Sequence, residues 1–539
     1  MAARQLIPLI IFAFLASAAA ERPAIDRPNF IFVIADDLGW GDVSYNGATG
    51  WKTPHIDSLA EDGAHFDRLF VSAESAPTSA ALISGLHPML AGVVSDTGGG
   101  QVLAGGITTI AEKLKDVGYT GGYFGAWRHG VNRPNRPTDQ GFDRFVGICR
   151  DVWPAAADVE FEFGDERRAT NGSVANVLAK EALTFIDSNK DRPFLCMINH
   201  PAPALDLTDL ESSIATLDRH VGEIIQKITD LQLQENTVVF FLSDNGPAAI
   251  EGRFNGQMYG ANGILHEGGL RSPGFVRWTG SIEAGLEINE ICHAMDLHIT
   301  AIDLGGGDLS QDLEPPRVRW MQGMSYVPLL THGFVHRWPN RTLNEVAVDG
   351  LNFDYKTMRA TVRVSRWRAV RDLDWRRSAI GENEETWELY DLKADPTQAY
   401  DLAGFYPEVL GRLKSDFMQW FGRINNHHFK PKRIEVGRDD WPQTRLLPEF
   451  AQIDDTALTW PLNVVEGGER RLSLVCRSAA AKSENLEISI GESRESWTLE
   501  LNPDWTEIEL GILDFNAGES ALKLSADLEI RELIISLDS

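Results

Sequence analysis

The chain has 539 residues, of which 43% are hydrophobic and 24% charged, a composition typical of folded globular proteins rather than disordered or fibrous ones. Its 50 Lys and Arg against 78 Asp and Glu give a formal net charge of −28, which excludes a nucleic-acid-binding role because such a surface repels phosphate backbones. Four cysteines without a C-x-x-C pair exclude a disulfide-dense scaffold and a cysteine zinc site.

The first twenty residues are predicted to be a signal peptide. Arg4 gives a positive start, residues 6–15 form a short apolar run, and small residues at 17–20 offer a cleavage site before Glu21. The apolar run is too short to span a bilayer, and no later stretch approaches the length of about 18 apolar residues that a membrane helix needs. We therefore expect an exported protein, periplasmic or extracellular, without a membrane span.

Residues 27–345 alternate apolar runs with helical patterns, which predicts an α/β domain with a mainly parallel sheet flanked by helices. Residues 29–35 and 237–242 are continuous apolar runs, typical of strands that are buried on both faces. Residues 107–117 and 214–231 carry apolar side chains at helical spacing. These patterns place two helices against the predicted sheet.

Two smaller domains are predicted to follow. Residues 346–428 contain short strands at 358–370 and a helix at 407–421, which indicates an α+β subdomain. Residues 429–539 predict an accessory β-sandwich, because apolar and polar residues alternate in short segments between turns. The alternating segments are 471–476, 486–490, 497–501, 507–513 and 528–535. Trp460, Trp497 and Trp505 of this region fit either core packing, which is favoured, or a sugar-stacking platform.

Acidic side chains come directly after both buried runs of the α/β domain. Asp36 and Asp37 follow the first run, and Asp244 and Asn245 follow the second. Ligands bind beyond the carboxyl ends of strands in open α/β sheets, and carboxylate and amide oxygens suit Ca²⁺ or Mg²⁺. Either cluster alone is better explained by turn chemistry. Together, at matching positions, they favour a metal site.

Seven segments resemble those of sulfatases and occur in the family's order. They are residues 28–41 (PNFIFVIADDLGWG), 53–63 (TPHIDSLAEDG), 84–92 (SGLHPMLAG), 141–147 (GFDRFVG), 236–246 (NTVVFFLSDNG), 267–273 (EGGLRSP) and 389–403 (LYDLKADPTQAYDLA). The resemblance implies the alkaline-phosphatase-like α/β fold with a smaller C-terminal subdomain. The β-sandwich lies outside it.

The resemblance also implies a set of site residues. Sulfatases hydrolyse sulfate esters with a formylglycine, made from Cys or Ser in a [CS]-x-P-x-R motif, beside a divalent cation, usually Ca²⁺. It places Ser75 at the converted position and gives Asp36, Asp37, Asp244 and Asn245 the metal-ligand positions. All four are of the expected types, so the resemblance predicts an intact Ca²⁺ site.

Other positions of the family pattern have lost their Lys, Arg or His. The residues that replace them are Ser79 for the Arg of the nucleophile motif, Ala126 for a Lys, Arg128 for a His, Ala202 for a His and Asn262 for a Lys. Arg128 is the positive charge that remains and is a candidate anion clamp. His129 and His200 are each displaced by one residue, and a structural role is favoured for both.

These substitutions predict weak or absent hydrolysis, since removing one donor aimed at developing charge slows an enzyme by about 10²–10³. The favoured hypothesis is a pseudoenzyme that keeps Ca²⁺ and binds sulfated carbohydrates or another anionic small ester. The alternative is an active sulfatase with Ser75 converted to formylglycine. A third hypothesis has Ser75 or Thr78 as the nucleophile of phosphoryl transfer. Pro77 indicates a helix start that would place Ser75 at a helix N-terminus, which favours an anion.

Overall fold

The computed structural model describes residues 27–150, 153, 159–250, 253–309, 323–331, 338–348, 358–371, 387–426, 432–454 and 457–537. The predicted signal peptide and the domain boundary predicted after residue 428 lie outside these ranges. In this part of the chain, no helix is long and apolar enough to cross a membrane.

The N-terminal domain is built on a central sheet. Its strands are β1 (Asn29–Asp36), β2 (Ala64–Phe66), β3 (Leu69–Phe70), β4 (Thr120–Ala126), β5 (Arg144–Ile148), β6 (Glu160–Phe163), β7 (Glu166–Ala169), β8 (Phe194–Pro203), β9 (Thr237–Ser243), β10 (Arg271–Ser272), β11 (Gly274–Arg277), β12 (Leu286–Ile288) and β13 (Cys292–His293). Among the described residues the main sheet has ten strands in the order β12-β2-β11-β9-β1-β8-β4-β5-β6-β7, and β10, β3 and β13 form a small second sheet. Strands β9, β1, β8, β4 and β5 are parallel neighbours, while β11, β6 and β7 pair in antiparallel fashion. The α/β architecture is thus confirmed, and the sheet is mixed, with a parallel centre from β9 to β5 and antiparallel pairings towards its edges.

Helices cover both faces of this sheet. They are α1 (Pro54–Glu61), α2 (Ser75–Ser84), α3 (Ile110–Asp116), α4 (Val174–Ser188), α5 (Leu210–Asp230), α6 (Glu267–Leu270), α7 (Ala294–Gly305) and α8 (Val327–Leu330). Every residue of β1 is buried, and its side chains alternate between the two cores. Phe32 packs in the core that α2, α3 and α7 share, whereas Val33 packs in the core formed with α1, α4 and α5. This two-sided burial explains the unbroken apolar run.

The subdomain consists of a four-stranded antiparallel sheet and one long helix among its described residues. Its elements are β14 (Thr342–Ala347), β15 (Arg359–Val364), β16 (Trp367–Arg371), β17 (Glu388–Asp391) and α9 (Pro407–Asn426). Strand β14 crosses the boundary predicted between residues 345 and 346. A buried charge cluster ties this sheet to the main domain: Arg368 Nη2 lies 2.8 Å from Glu267 Oε2, and Arg363 Nε lies 3.4 Å from the same oxygen.

The C-terminal region is a β-sandwich of two sheets, as predicted. Its strands are β18 (Ile434–Val436), β19 (Gln443–Leu446), β20 (Gln452–Asp454), β21 (Ala457–Val464), β22 (Gly468–Arg477), β23 (Lys482–Ile490), β24 (Ser493–Leu501), β25 (Thr506–Phe515), β26 (Gly518–Ser525) and β27 (Glu529–Leu537). One sheet has the order β18-β21-β26-β23-β24, with β20 on β21, and the other has the order β19-β27-β22-β25. Trp460 is fully buried between them, whereas Trp505 is 41% exposed.

The sandwich packs directly on the N-terminal domain. Asn132 exchanges two hydrogen bonds of 2.8 Å with the backbone of Arg445. The Arg445 guanidinium contacts Glu162 at 3.0 Å and Glu532 at 2.6 Å, which joins a strand of each domain. Gln101 Nε2 donates to the carbonyl of Glu449 at 2.8 Å. The sandwich therefore supports loops that lie at the carboxyl end of the main sheet.

Candidate active site

The two acidic clusters meet at the carboxyl edge of the main sheet. Strands β1 and β9 are parallel and in register, so that Ala35 lies opposite Ser243, and the residues that follow each strand are neighbours. The backbone amide of Asp37 donates to Asp244 Oδ1 at 3.3 Å. Asp37 has a φ of 62°, a left-handed conformation that Asp tolerates better than most residues. The pairing of β1 with β9 therefore brings together two groups of side chains that are more than 200 residues apart in the sequence.

A guanidinium lies among these carboxylates. Arg128 follows β4, is only 2% exposed, and places Nη2 at 2.6 Å from Asp36 Oδ2. Its Nη1 lies 3.2 Å from Asn199 Oδ1 and 3.8 Å from Asp244 Oδ2. Trp153 Nε1 donates to the same Asp36 oxygen at 2.7 Å. Arg128, predicted as a candidate anion clamp, is thus directed at the protein's own carboxylates.

Side-chain amides bind Asp37, the third carboxylate of the site. Asn245 Nδ2 and Asn262 Nδ2 each donate to Asp37 Oδ1 at 2.6 Å. Ser75 Oγ in turn donates to Asn245 Oδ1 at 2.9 Å. Ser75, Asn245, Asp37 and Asn262 consequently form one hydrogen-bonded chain at the nucleophile position.

Burial raises the pKa values of two carboxyl groups in this cluster. For Asp244 the pKa lies well above its ordinary value, because the group is buried and the Asp36 carboxylate is close. Burial and Asp36 also raise the pKa of Asp37, although the amides of Asn245 and Asn262 oppose the shift. Among the described residues, Asp244 Oδ2 accepts no hydrogen bond. Acidic charge is therefore crowded at this edge of the sheet.

Ser75 is the first residue of α2, as the position of Pro77 predicted, but the amides at this helix start already have an anionic partner. Asp96 accepts from the backbone amide of Ala76 at 2.6 Å and from that of Ser75 at 3.2 Å. The amide of Asp96 donates to Glu74 Oε2 at 2.8 Å. Because a carboxylate is bound at the positive end of the helix dipole, a second anion there would meet a like charge.

The displaced histidines have structural partners. His129 Nε2 lies 3.0 Å from Ser79 Oγ, and Nδ1 lies 3.1 Å from the carbonyl of Gln101. Burial lowers the pKa of His129 to about 4, so its ring is neutral at pH 7. His200 Nε2 lies 2.8 Å from His220 Nδ1 on α5, and burial lowers the pKa of His200 well below its ordinary value. Neither ring supplies a positive charge to the site.

Each of the four predicted ligands has an oxygen engaged by a hydrogen bond, so the oxygens do not converge on one calcium position in the arrangement seen, although Asp244 Oδ2 is left without a hydrogen bond among the described residues. The oxygen of Asn245 receives the Ser75 hydroxyl, Asp37 Oδ1 receives two amides, and Asp36 Oδ2 receives Arg128 and Trp153. Calcium needs six to eight oxygen ligands directed at one point. Across the residues that the structure describes, no group of three or more His, Cys, Asp or Glu side chains is placed to hold a metal.

Four contributors to the site were not found from the sequence. Trp153 and Asn199 contact Asp36 and Arg128, Asp96 binds the start of α2, and Arg253 Nη2 donates to the Asp37 carbonyl at 2.9 Å. They lie on separate loops and strands without a characteristic spacing. Only the tertiary fold brings them to the carboxyl edge.

The α/β layers, the site at the sheet edge and the added subdomain define an alkaline-phosphatase-like protein. The sulfatase family profile matches residues 28–203 and 207–307, and a profile described as N-sulphoglucosamine sulphohydrolase, C-terminal, matches residues 259–419. The chain belongs to the sulfatase family.

Known relatives agree with this assignment. N-acetylgalactosamine-6-sulfatase of Mus musculus is 30% identical over 380 residues, which cover 62% of this chain and 71% of that protein. The structure of Ps i-CgsB in complex with k-i-k-neocarrahexaose has a TM-score of 0.62 at 22% identity and covers 73% of this chain and 92% of its own. A structure in complex with its substrate D-glucosamine-2-N,6-O-disulfate has a TM-score of 0.61 at 16% identity, with coverages of 75% and 99%. The two structures support the fold.

Proposed function

We propose that this chain is an exported, non-hydrolytic member of the sulfatase family that binds sulfated glycans or a related anionic ester. The observation that carries the proposal is the hydrogen bond of 2.9 Å that the Ser75 hydroxyl donates to the amide oxygen of Asn245. A serine becomes an effective nucleophile only when a base or a lowered pKa activates it. An amide oxygen is not such a base, and the neutral His129 contacts Ser79 instead.

Within the described part of the chain, the positive groups nearest Ser75 are already engaged and are not directed at the charge that develops during transfer of a sulfuryl group. Arg128 is paired with Asp36, and Asp96 holds the amides at the start of α2. Each lost donor costs about 10²–10³ in rate, and although such losses do not add, removal of a whole unit leaves only residual catalysis. These contacts argue against turnover at Ser75.

The class of ligand is inferred from relatives. One is named for a sulfate ester of N-acetylgalactosamine, and another is a complex with a disulfated glucosamine. A net charge of −28 opposes the approach of a long polyanion. We therefore expect a short sulfated oligosaccharide, bound by local contacts.

A pocket between the N-terminal domain and the sandwich suits such a ligand. It has a volume of about 380 Å³, and its lining combines two arginines with two glutamates and apolar side chains: Ile148, Arg150, Val159, Glu160, Glu449, Trp505, Ile530 and Arg531. The carbonyl of Ile148 accepts from the backbone amide of Trp127, the residue before Arg128, so the pocket lies beside the candidate site. An exposed indole can stack on a sugar ring, and one guanidinium can bind two sulfate oxygens. Arg150 is the candidate for that contact, because Arg531 pairs with Glu160 of the same pocket. The Arg477 guanidinium lies 4.6 Å from the centroid of the Trp505 ring, so a sugar could stack only on the opposite face of this indole, whereas Trp460 belongs to the core.

Binding can be tested by calorimetric titration with a short sulfated oligosaccharide and its desulfated form. We expect the sulfated form to bind, and Trp505→Ala to weaken it about tenfold, the effect of losing about 1.4 kcal/mol. Tyr400→Ala is the matched control, because Tyr400 is also exposed, at 73%, but lies in the subdomain. Equal affinity for both oligosaccharides, or an equal loss in the two variants, would refute this site.

Absence of hydrolysis has its own test. Mass spectrometry of the tryptic peptide between Arg68 and Lys113, from protein made in its native host, should show an unmodified Ser75. A peptide lighter by two hydrogen atoms at this residue would indicate formylglycine and favour the active sulfatase. In that case sulfate release should be abolished by Ser75→Ala. Export predicts that the mature chain begins at Glu21, which N-terminal sequencing can check.

A further inference from the structure

Three carboxylates lie together at the carboxyl ends of β1 and β9, and such a cluster requires positive charge. Asp36 and Asp244 are buried, and Asp37 is half-buried. Ionised groups in a protein interior are tolerated only when they are paired and hydrogen-bonded. Whatever supplies the positive charge therefore determines how this site is stabilised.

We infer that the Arg128 guanidinium takes the place of the divalent cation, so that this chain folds and binds its ligands without calcium. Nη2 lies 2.6 Å from Asp36, and Nη1 of the same group lies 3.8 Å from Asp244. Asn199 Oδ1 accepts a further hydrogen bond from Nη1 at 3.2 Å. One buried side chain thus neutralises residues from two strands, as a bound ion would.

The guanidinium and a metal ion exclude each other at this position. A guanidinium and a divalent cation about 4 Å apart repel strongly enough to weaken ion binding by about a millionfold at an effective dielectric constant of about 20. Arg128 could leave only by breaking its contacts with Asp36 and Asn199, and it is 2% exposed. The arginine side chain is long enough to reach from the end of β4 to Asp36 at the end of β1.

Oxygens of two other predicted metal ligands, Asn245 and Asp37, also accept hydrogen bonds in place of binding a metal. Asn245 directs its nitrogen, which cannot bind a cation, at Asp37, and its oxygen accepts the Ser75 hydroxyl. Asn262 adds a second N–H to the same Asp37 oxygen. Asn245 Oδ1 would have to release the Ser75 hydroxyl, and Asp37 Oδ1 both amides, before these two oxygens could bind an ion.

The first experiment measures metal content and thermal stability of the full chain. Elemental analysis after dialysis against micromolar Ca²⁺ should find far less than one calcium per chain, and the melting temperature should be the same in EDTA and in millimolar CaCl₂. One calcium per chain, together with a lower melting temperature in EDTA, would overturn the inference, because a ligand that binds the folded state raises its stability.

The second experiment removes the guanidinium. Arg128→Ala leaves the carboxylates unpaired, so we expect its melting temperature to be lower than that of the wild type and to rise with Ca²⁺. Arg341→Ala is the matched control, since Arg341 Nη1 pairs with the buried Asp296 at 2.6 Å in another part of the domain. That variant should be destabilised without responding to Ca²⁺.

If Arg128→Ala does not fold even in Ca²⁺, the same comparison is made with Arg128→Gln. This variant keeps hydrogen-bond donors at the position. A variant at residue 128 that folds but shows no more response to Ca²⁺ than Arg341→Ala would contradict the inference. Glycan binding is measured separately in EDTA, so a failure of the proposed ligand is distinguishable from a requirement for metal.

Discussion

Glu267 offers the sharpest test of how the subdomain is attached. This carboxylate is buried in α6 and faces Arg363 and Arg368 of the subdomain sheet, with Arg271 at 4.0 Å. Burial raises the pKa of Glu267, but the three guanidinium groups lower it by a larger amount, so that the pKa is about 2. Glu267→Gln would keep the shape of the side chain and remove the charge that neutralises these arginines.

The size of the effect follows from the pKa. A decrease from the ordinary value of 4.5 to about 2 corresponds to about 3 kcal/mol of stabilisation of the folded state at pH 7. Breaking a buried ion pair by removing one partner costs about 3–5 kcal/mol, which agrees. Because the folded pKa is the lower one, the stabilisation is complete above about pH 4.5 and is lost as the pH falls towards 2.

Urea unfolding followed by tryptophan fluorescence can measure both effects. Glu267→Gln should lower the free energy of unfolding by about 3 kcal/mol at pH 7 and by only about 2 kcal/mol at pH 3.5. The control is Glu61→Gln, an exposed position where we expect a change below about 0.5 kcal/mol. A difference below about 1 kcal/mol at pH 7, or one that grows on acidification, would refute the reasoning.

Two further predictions concern buried rings. Burial and Lys113 lower the pKa of His298 to about 3. The unfolded chain therefore binds a proton at this ring near pH 6.5, whereas the folded chain does not. Between about pH 6 and 4, the free energy of unfolding of the wild type should fall by about 1.4 kcal/mol per pH unit more than that of His298→Gln, as measured by urea titration. Equal slopes for the two proteins would contradict this prediction. Trp460→Ala should lower the free energy of unfolding by about 3–5 kcal/mol, and Trp505→Ala should lower it by less than about 0.5 kcal/mol, because Trp460 is fully buried and Trp505 is exposed. Thermal unfolding measures both changes, and similar losses in the two variants would contradict the prediction.

The predictions from sequence were most accurate where burial leaves a strong pattern. The run at 29–35 corresponds to β1 (Asn29–Asp36), and the run at 237–242 corresponds to β9 (Thr237–Ser243). Five strands of the sandwich were missed, namely β18, β19, β20, β21 and β26; β21 contains Pro461, and β26 is largely polar. Pattern alone detects such strands poorly, since their pairing depends on neighbours far along the chain.

In the candidate site, too, some features could be predicted from the sequence and others could not. The positions of Asp36 and Asp244 at strand ends followed from the sequence, because parallel strands bring their carboxyl ends together. The contact between Arg128 and Asp36 did not, since the residues are 92 positions apart and only the path of the chain after β4 directs the guanidinium inward. The binding of Asp96 to the start of α2 likewise depends on loop conformation, for which the sequence has no periodic signal.

The central place of β1 in the sheet has a consequence for how the chain reaches its native state. Asn29 pairs with Thr237, which lies 208 residues later, and the other neighbour of β1 is β8. During synthesis the run NFIFVIA must therefore remain without its strand partners until most of the domain has been made. Apolar segments that wait for distant partners fold slowly and are prone to aggregate. We expect early folding intermediates of this protein to be sensitive to chaperones, and the carboxylate site, which needs both neighbours of β1, to form among the last parts of the domain.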